Sequence, residues 1–221
     1  MLATLANFDV AILLFFLVNL SLGIHYDTQD ILLSFTGWES IGNSNWYIFV
    51  ILCCYLSTYL TFKVVRGQNK NRKLICGGNL LIITCIYVVL VKNKQSYWYD
   101  TIFSYPLGGC FSLYKSELEG KVRKHYRLCL AAVFLLFLIL FFEPYEVMCI
   151  RANMRACLLA IAIVVLSMKV QVRNPSLSWL GKNLFPLYIY QRIGMIIFSR
   201  INEGEFIKDY PYLYIVLCVM I

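Results

Sequence analysis

Charged side chains are scarce in this sequence, at 14% of 221 residues, against about 25% in ordinary soluble domains. So small a share cannot clothe a water-soluble globule. Histidine is scarcer still, with only His25 and His125, and general-base chemistry therefore has few places to reside. No Walker motif, HExxH, GxSxG or GxGxxG in a βαβ setting occurs, so ATP-driven transport, metallohydrolysis and dinucleotide chemistry have no positive support. The nine cysteines include no CxxC and no Cys/His ligand spacing, and most lie within apolar runs. There cysteine acts as a small hydrophobe, so neither a disulfide framework nor a metal site is expected. The opening MLATLANFDVAILLFF has no basic n-region and no small-residue cleavage site, which argues against a removable signal peptide. Internal repeats, low-complexity tracts and soluble inserts are missing too, so residues 1–221 read as a single membrane domain.

What is present is apolar: 60% hydrophobic residues, with a mean hydropathy of +0.69. These values describe an integral membrane protein, all-α, a polytopic helix bundle. With about 20 apolar residues per crossing, eight candidate spans fall near 8–24, 45–64, 74–91, 98–114, 126–142, 154–170, 180–200 and 210–221. The last is too short to cross at about 1.5 Å rise per residue, so the chain is expected to stop inside a helix, and its start is abrupt as well.

The formal charge of +8 fits basic cytoplasmic loops better than nucleic acid, because the basic residues cluster between apolar runs. Lys63, Arg66, Lys70, Arg72 and Lys73 follow the second span; Lys115, Lys121, Arg123, Lys124 and Arg127 follow the fourth; Lys169, Arg173 and Lys182 follow the sixth. The alternate loops hold most of the acids: Asp27, Asp30, Glu39, Glu143, Glu146, Glu203, Glu205 and Asp209. Both ends are therefore expected in the cytoplasm. Trp46, Tyr47, Tyr97, Trp98, Tyr99, Tyr210 and Tyr212 fall at the expected outer ends of spans, as interfacial aromatics do.

The stretch Ser178 to Ile201 places Gln191 and Arg192 midway along a crossing. An arginine there costs roughly 2.5 kcal/mol or more and is normally turned to a protein interior or a water-filled cavity; the plainer reading is a snorkelling or structural arginine. Tyr188 lies four residues before Arg192, on the same helical face. Span four carries Pro106, Gly108 and Gly109, read as an interruption of the kind tolerated where backbone is buried or lines a cavity. Gly77 and Gly78 suit close helix packing. The inner basic loops could hold the phosphates of a nucleotide-like donor such as coenzyme A, although topology alone accounts for most of them. His125 in the inner loop and His25 at an outer end read as solvated residues rather than bases.

Three segments together resemble the acyltransferase-3 family: GNSNWYIFVILCCYLSTYL (42–60), SYWYDTIFSYPLGGCFSLYKSELE (96–119) and LSWLGKNLFPLYIYQR (177–192). These are integral membrane acyltransferases that O-acetylate bacterial surface and exopolysaccharides. The resemblance implies ten spans with both termini cytoplasmic, acetyl-CoA as donor, and a sugar hydroxyl on a glycan or lipid-linked precursor as acceptor. Two further N-terminal spans would reconcile ten with eight. It also implies a histidine in the first span, preceded by a basic residue, and an Arg-x-x-Arg pair, none of which is found here. Gln191 stands where many members have a late-helix histidine. The chain is thus expected to be a member truncated at both ends.

The expected function is acetyl transfer at the bacterial plasma membrane, in contact with lipid and a polysaccharide or lipid-linked glycan. The catalytic base is unassigned. Gln191, Arg192 and Tyr188 are the candidate cavity-lining groups, with Trp46 as an aromatic platform and Asp100 as a hydrogen-bonding acid for the sugar. The alternatives are a glycan transporter or flippase, which would also use a polar cavity and a broken helix, and an inactive remnant of the acyltransferase.

Overall fold

A segment in hydrocarbon must satisfy its backbone N–H and C=O groups internally, and all regular structure among the described residues is helical. The computed structural model describes residues 2–42, 45–65, 71–142, 148–170, 174–200 and 212–213. Eight α-helices run through them: α1 Leu2–Ser21, α2 Thr28–Phe35, α3 Trp46–Val65, α4 Arg72–Asn93, α5 Ser104–Lys124, α6 Tyr126–Phe142, α7 Met148–Ser167 and α8 Pro175–Arg200, with a short 3₁₀ turn at Ser96–Trp98. The fold is the all-α membrane bundle expected.

Seven of the eight expected spans coincide with helices; the stretch 210–221 lies outside the described residues apart from Tyr212 and Leu213. Among the described residues, three helices are long and apolar enough to cross: Trp46–Val65, Arg72–Asn93 and Ile150–Ser167. The pair α5 and α6 adds a fourth if it counts as one span broken by a 98° bend. The shortfall has local causes. The apolar part of α1, Leu5–Ser21, is short, the second half of α5 is KSELEGKVRK, and α8 carries Lys182 and Arg192.

Two expected loops are helical. Residues 25–44 contain α2, whose N-cap Asp27 accepts from the Thr28 N–H (2.8 Å). Its C-terminus closes as a Schellman motif, Trp38 N–H to Leu33 O (3.2 Å) and Gly37 N–H to Ser34 O (2.9 Å). Gly37 takes φ +78°, and a Cβ there would stand 3.2 Å from the Phe49 nitrogen, so glycine is required twice over. The basic stretch after span four is no loop either, because α5 runs unbroken to Lys124. Pro106 sits in its first turn, where a missing N–H costs no helical bond, so the expected interruption at Pro106–Gly109 does not occur. The break comes at His125, the C-cap.

The chain divides into two compact units, residues 1–49 with 173–221 and residues 50–172. In the first, α1 packs on α8 and buries the stripe Phe8, Ala11, Ile12, Phe15 and Asn19, spaced at helical period. Asn174 caps α8 by accepting from Ser176 N–H (2.8 Å) and Leu177 N–H (3.4 Å), with Pro175 at the first helical position. In the second unit α6 and α7 form an extensive pair. α6 buries no residue against protein and is apolar all round, as a lipid-facing helix is.

Candidate functional site

Within the second unit, the apolar sequence of α3 carries Ser57, Thr58 and Thr61 on adjacent turns, and α4 carries Asn79. Polar side chains at this depth are costly unless they find one another, and here they do. The Ser57 hydroxyl donates to Asn79 Oδ1 (2.6 Å), Thr61 to the Ser57 carbonyl (2.8 Å), and the Thr58 and Tyr105 hydroxyls share a 2.9 Å hydrogen bond. Gly78 lets α3 and α4 approach, since a Cβ there would lie 3.1 Å from Thr61 Cγ2. On α5, a Cβ added at Gly109 would stand 3.6 Å from Asn79 Nδ2, an ordinary contact. Ser57, Thr61 and Asn79 are all buried.

These groups border a cavity of about 500 Å³ that includes Thr58, Thr61, Asn79, Tyr105, Cys76 and Cys110 in its wall. It shares Phe62, Ile75 and Leu113 with an adjoining cavity of about 650 Å³ whose wall holds Lys63, Arg72 and Tyr59. The two part-open cavities adjoin as a chamber among α3, α4 and α5, with uncharged polar groups in the wall of one and Lys63 and Arg72 in the wall of the other. At the cationic end Lys63 Nζ stands 5.8 Å from the Tyr59 ring. Arg72 pairs with Glu117 (2.8 Å) while its guanidinium lies 5.8 Å from the Tyr114 ring. That pair is half exposed on both sides, so its net contribution is on the order of 0–1 kcal/mol and Arg72 remains available to another anion. No histidine or carboxylate lines either cavity among the described residues.

At the start of α5, Asn153 of α7 clamps the entering chain, donating to Tyr99 O (2.9 Å) and accepting from Phe103 N–H (3.3 Å). Asp100 lies within this loop. Burial pushes its carboxyl above the usual carboxylate range, opposed by a Ser96 hydrogen bond and the Arg155 guanidinium. Its Oδ1 is buried without a hydrogen-bond partner.

In the first unit, Tyr188 and Arg192 share one side of α8, as their spacing requires. Arg192 Nε donates to Gly42 O (2.8 Å), and the Tyr188 ring meets Tyr47 edge-on at 5.1 Å, with Trp46 5.9 Å from Tyr47. Asn19 donates to Ile41 O (2.6 Å), and its Oδ1 is buried without a partner. Asn45 holds the loop before α3 by donating to Glu39 O and to Ser34 O (3.4 Å). Arg192 is bound to this loop and not enclosed: its side chain is exposed, as is that of Gln191. Ile189 is the buried flank of α8 here, and Gln191, about 200° further round the helix, faces away from it.

Tyr188 and Arg192 thus share one side of α8, Trp46 is linked to Tyr188 through the Tyr47 ring, Gln191 is directed elsewhere, and Asp100 belongs to the other unit. His25 and His125 are both exposed, and neither lines the chamber. The sequence reading missed Ser57, Thr58, Thr61, Asn79 and Tyr105. Their signal was a cluster of hydroxyls and one amide inside strongly apolar runs.

A family model described as an acyltransferase domain, Acyl_transf_3, matches residues 10–221. No curated protein and no solved structure matches the chain.

Proposed function

Because the chain belongs to the acyltransferase-3 family and is a membrane acyltransferase in its general class, we propose that it moves an acetyl group from acetyl-CoA to a sugar hydroxyl. The acceptor in this reading is a bacterial surface polysaccharide or its lipid-linked precursor. The membrane is the plasma membrane, with both chain ends cytoplasmic. The observation that carries the proposal is the chamber, where a cationic end adjoins a buried polar cluster.

Lys63 and Arg72 supply the charge to hold the donor's phosphates, Arg72 with a planar fork suited to bidentate contact. The narrower end then receives the thioester. In acyl transfer the acceptor oxygen attacks the carbonyl carbon, negative charge gathers on the carbonyl oxygen, the C–S bond breaks, and the acceptor's proton ends on the departing thiol. Asn79 Oδ1 is taken by Ser57, whereas its Nδ2 hydrogens have no acceptor among the described residues and can stabilise that charge as an oxyanion-hole donor does. Among the described residues no histidine or carboxylate lines the chamber to take that proton first.

The test measures labelled acetyl transfer from acetyl-CoA to glycan in membranes containing the full chain. Lys63→Gln with Arg72→Gln should raise the KM for acetyl-CoA at least about tenfold, since hydrogen bonds to charged groups contribute roughly 1.5–3 kcal/mol each. Transfer from a short acetyl thioester without phosphates should be unchanged. No transfer to glycan, or equal losses with both donors, would refute the proposal.

A further inference from the structure

On the side of α5 away from the polar cluster, a second groove runs between α5 and α7, about 440 Å³ in volume. Its α5 wall is the stripe Leu107, Phe111, Tyr114, Leu118 and Lys121, and its α7 wall includes Ala160, Ile161, Val164 and Val165. Asn153 joins the start of α7 to the start of α5, so the two helices leave that junction side by side. From Ser104 to Lys121 the groove follows about 25 Å of helix, most of one hydrocarbon thickness. α7 is a candidate span with little of its surface covered by protein, so the groove opens toward acyl chains.

Charge on this groove is confined to one end, at Glu117 and Lys121. Glu117 faces Arg72 in the half-exposed 2.8 Å pair described above. Lys121 has no ion pair among the described residues, and Lys124, three residues on, extends the same stripe by a turn. An apolar channel of lipid length with unmatched positive charge at its mouth complements one kind of molecule. We infer that this groove binds one anionic phospholipid, with a tail between α5 and α7 and its phosphate at Lys121. A zwitterionic lipid fills the channel equally well but gains nothing at the lysines. The inference does not depend on acetyl transfer.

The full chain is reconstituted in nanodiscs of phosphatidylcholine, and the immobilised fraction of spin-labelled phosphatidylglycerol is compared with that of spin-labelled phosphatidylcholine. A juxtamembrane lysine contributes a preference of roughly five-fold for anionic lipid. Lys121→Gln should reduce the preference by about that factor, and Lys121→Gln with Lys124→Gln should remove it. Ala160→Phe should release both labelled lipids by filling the channel; Val164→Phe on the same wall replaces it if helical content falls. Added inorganic phosphate should not displace the label. Equal immobilisation of the two lipids, or no response to Lys121→Gln, would overturn the inference. Displacement by phosphate, or a Lys121 effect with no response to filling the groove, would identify a bare anion patch and overturn it equally.

Discussion

Replacing Asn79 by alanine separates what this residue does for the fold from what it does for the reaction. Its Oδ1 accepts the Ser57 hydroxyl at 2.6 Å in a buried position. Truncation leaves that hydroxyl with only the 3.5 Å approach to the Asn79 carbonyl. Side-chain hydrogen bonds between membrane helices average about 0.6 kcal/mol and reach about 1.7, while a stranded buried donor costs about 1–3. The expected destabilisation is therefore about 1–2 kcal/mol. Ser57→Ala removes the same hydrogen bond from the other side and should cost a similar amount, but leaves the Nδ2 donor in place. If Nδ2 meets the carbonyl oxygen in the transition state, Asn79→Ala should also slow transfer by about 10²–10³, or roughly 2.7–4 kcal/mol. Thermal unfolding in detergent measures the first quantity. Labelled acetyl transfer per unit of folded protein measures the second. An Asn79→Ala rate no lower than that of Ser57→Ala would refute the assignment of Asn79 to the carbonyl.

Gly109→Ala would place a methyl 3.6 Å from Asn79 Nδ2, an ordinary contact for packing but one that covers the amide. Thermal stability should hold or rise by about 0.5–1 kcal/mol, while transfer falls about tenfold or more through misplacement of the thioester. Gly37→Ala meets both a positive φ and the Phe49 backbone, and should destabilise the first unit by about 2 kcal/mol, read as a lower unfolding temperature. Asp100 has its carboxyl raised by burial, so the folded state binds its proton more tightly than the unfolded state does. The stability it contributes is complete below the unfolded carboxylate value and is lost as pH rises through the folded one. Asp100→Asn should abolish that loss, giving a flatter unfolding temperature between acid and neutral pH; an unchanged slope would show that another group is responsible.

The helices were largely legible in the sequence, because apolar runs of near-bilayer length have few other solutions. Their ends were less so. α5 continues to Lys124 because Ser116–Lys124 are adequate helix formers, and hydropathy records where apolar character stops without recording where hydrogen bonding stops. Pro106 misled for a related reason: its effect depends on its place in the first turn, which only the helix start at Ser104 reveals. For the site, Tyr188 and Arg192 were found from spacing and improbable polarity, and their shared face is real. Gln191 was singled out by the same improbability, but its direction is set by Ile189, the flank that α8 buries. Asn79, Ser57 and Tyr105 escaped notice because hydroxyls and amides are common enough in membrane helices that only their convergence from three different helices sets them apart.

Ser104, Gly108 and Cys110 border both the polar chamber and the lipid-facing groove. At Gly108 nothing lies within 4 Å of where a Cβ would stand, so at that one point of the helix no side chain stands between them. Any bulk added at that point must take its room from one side or the other.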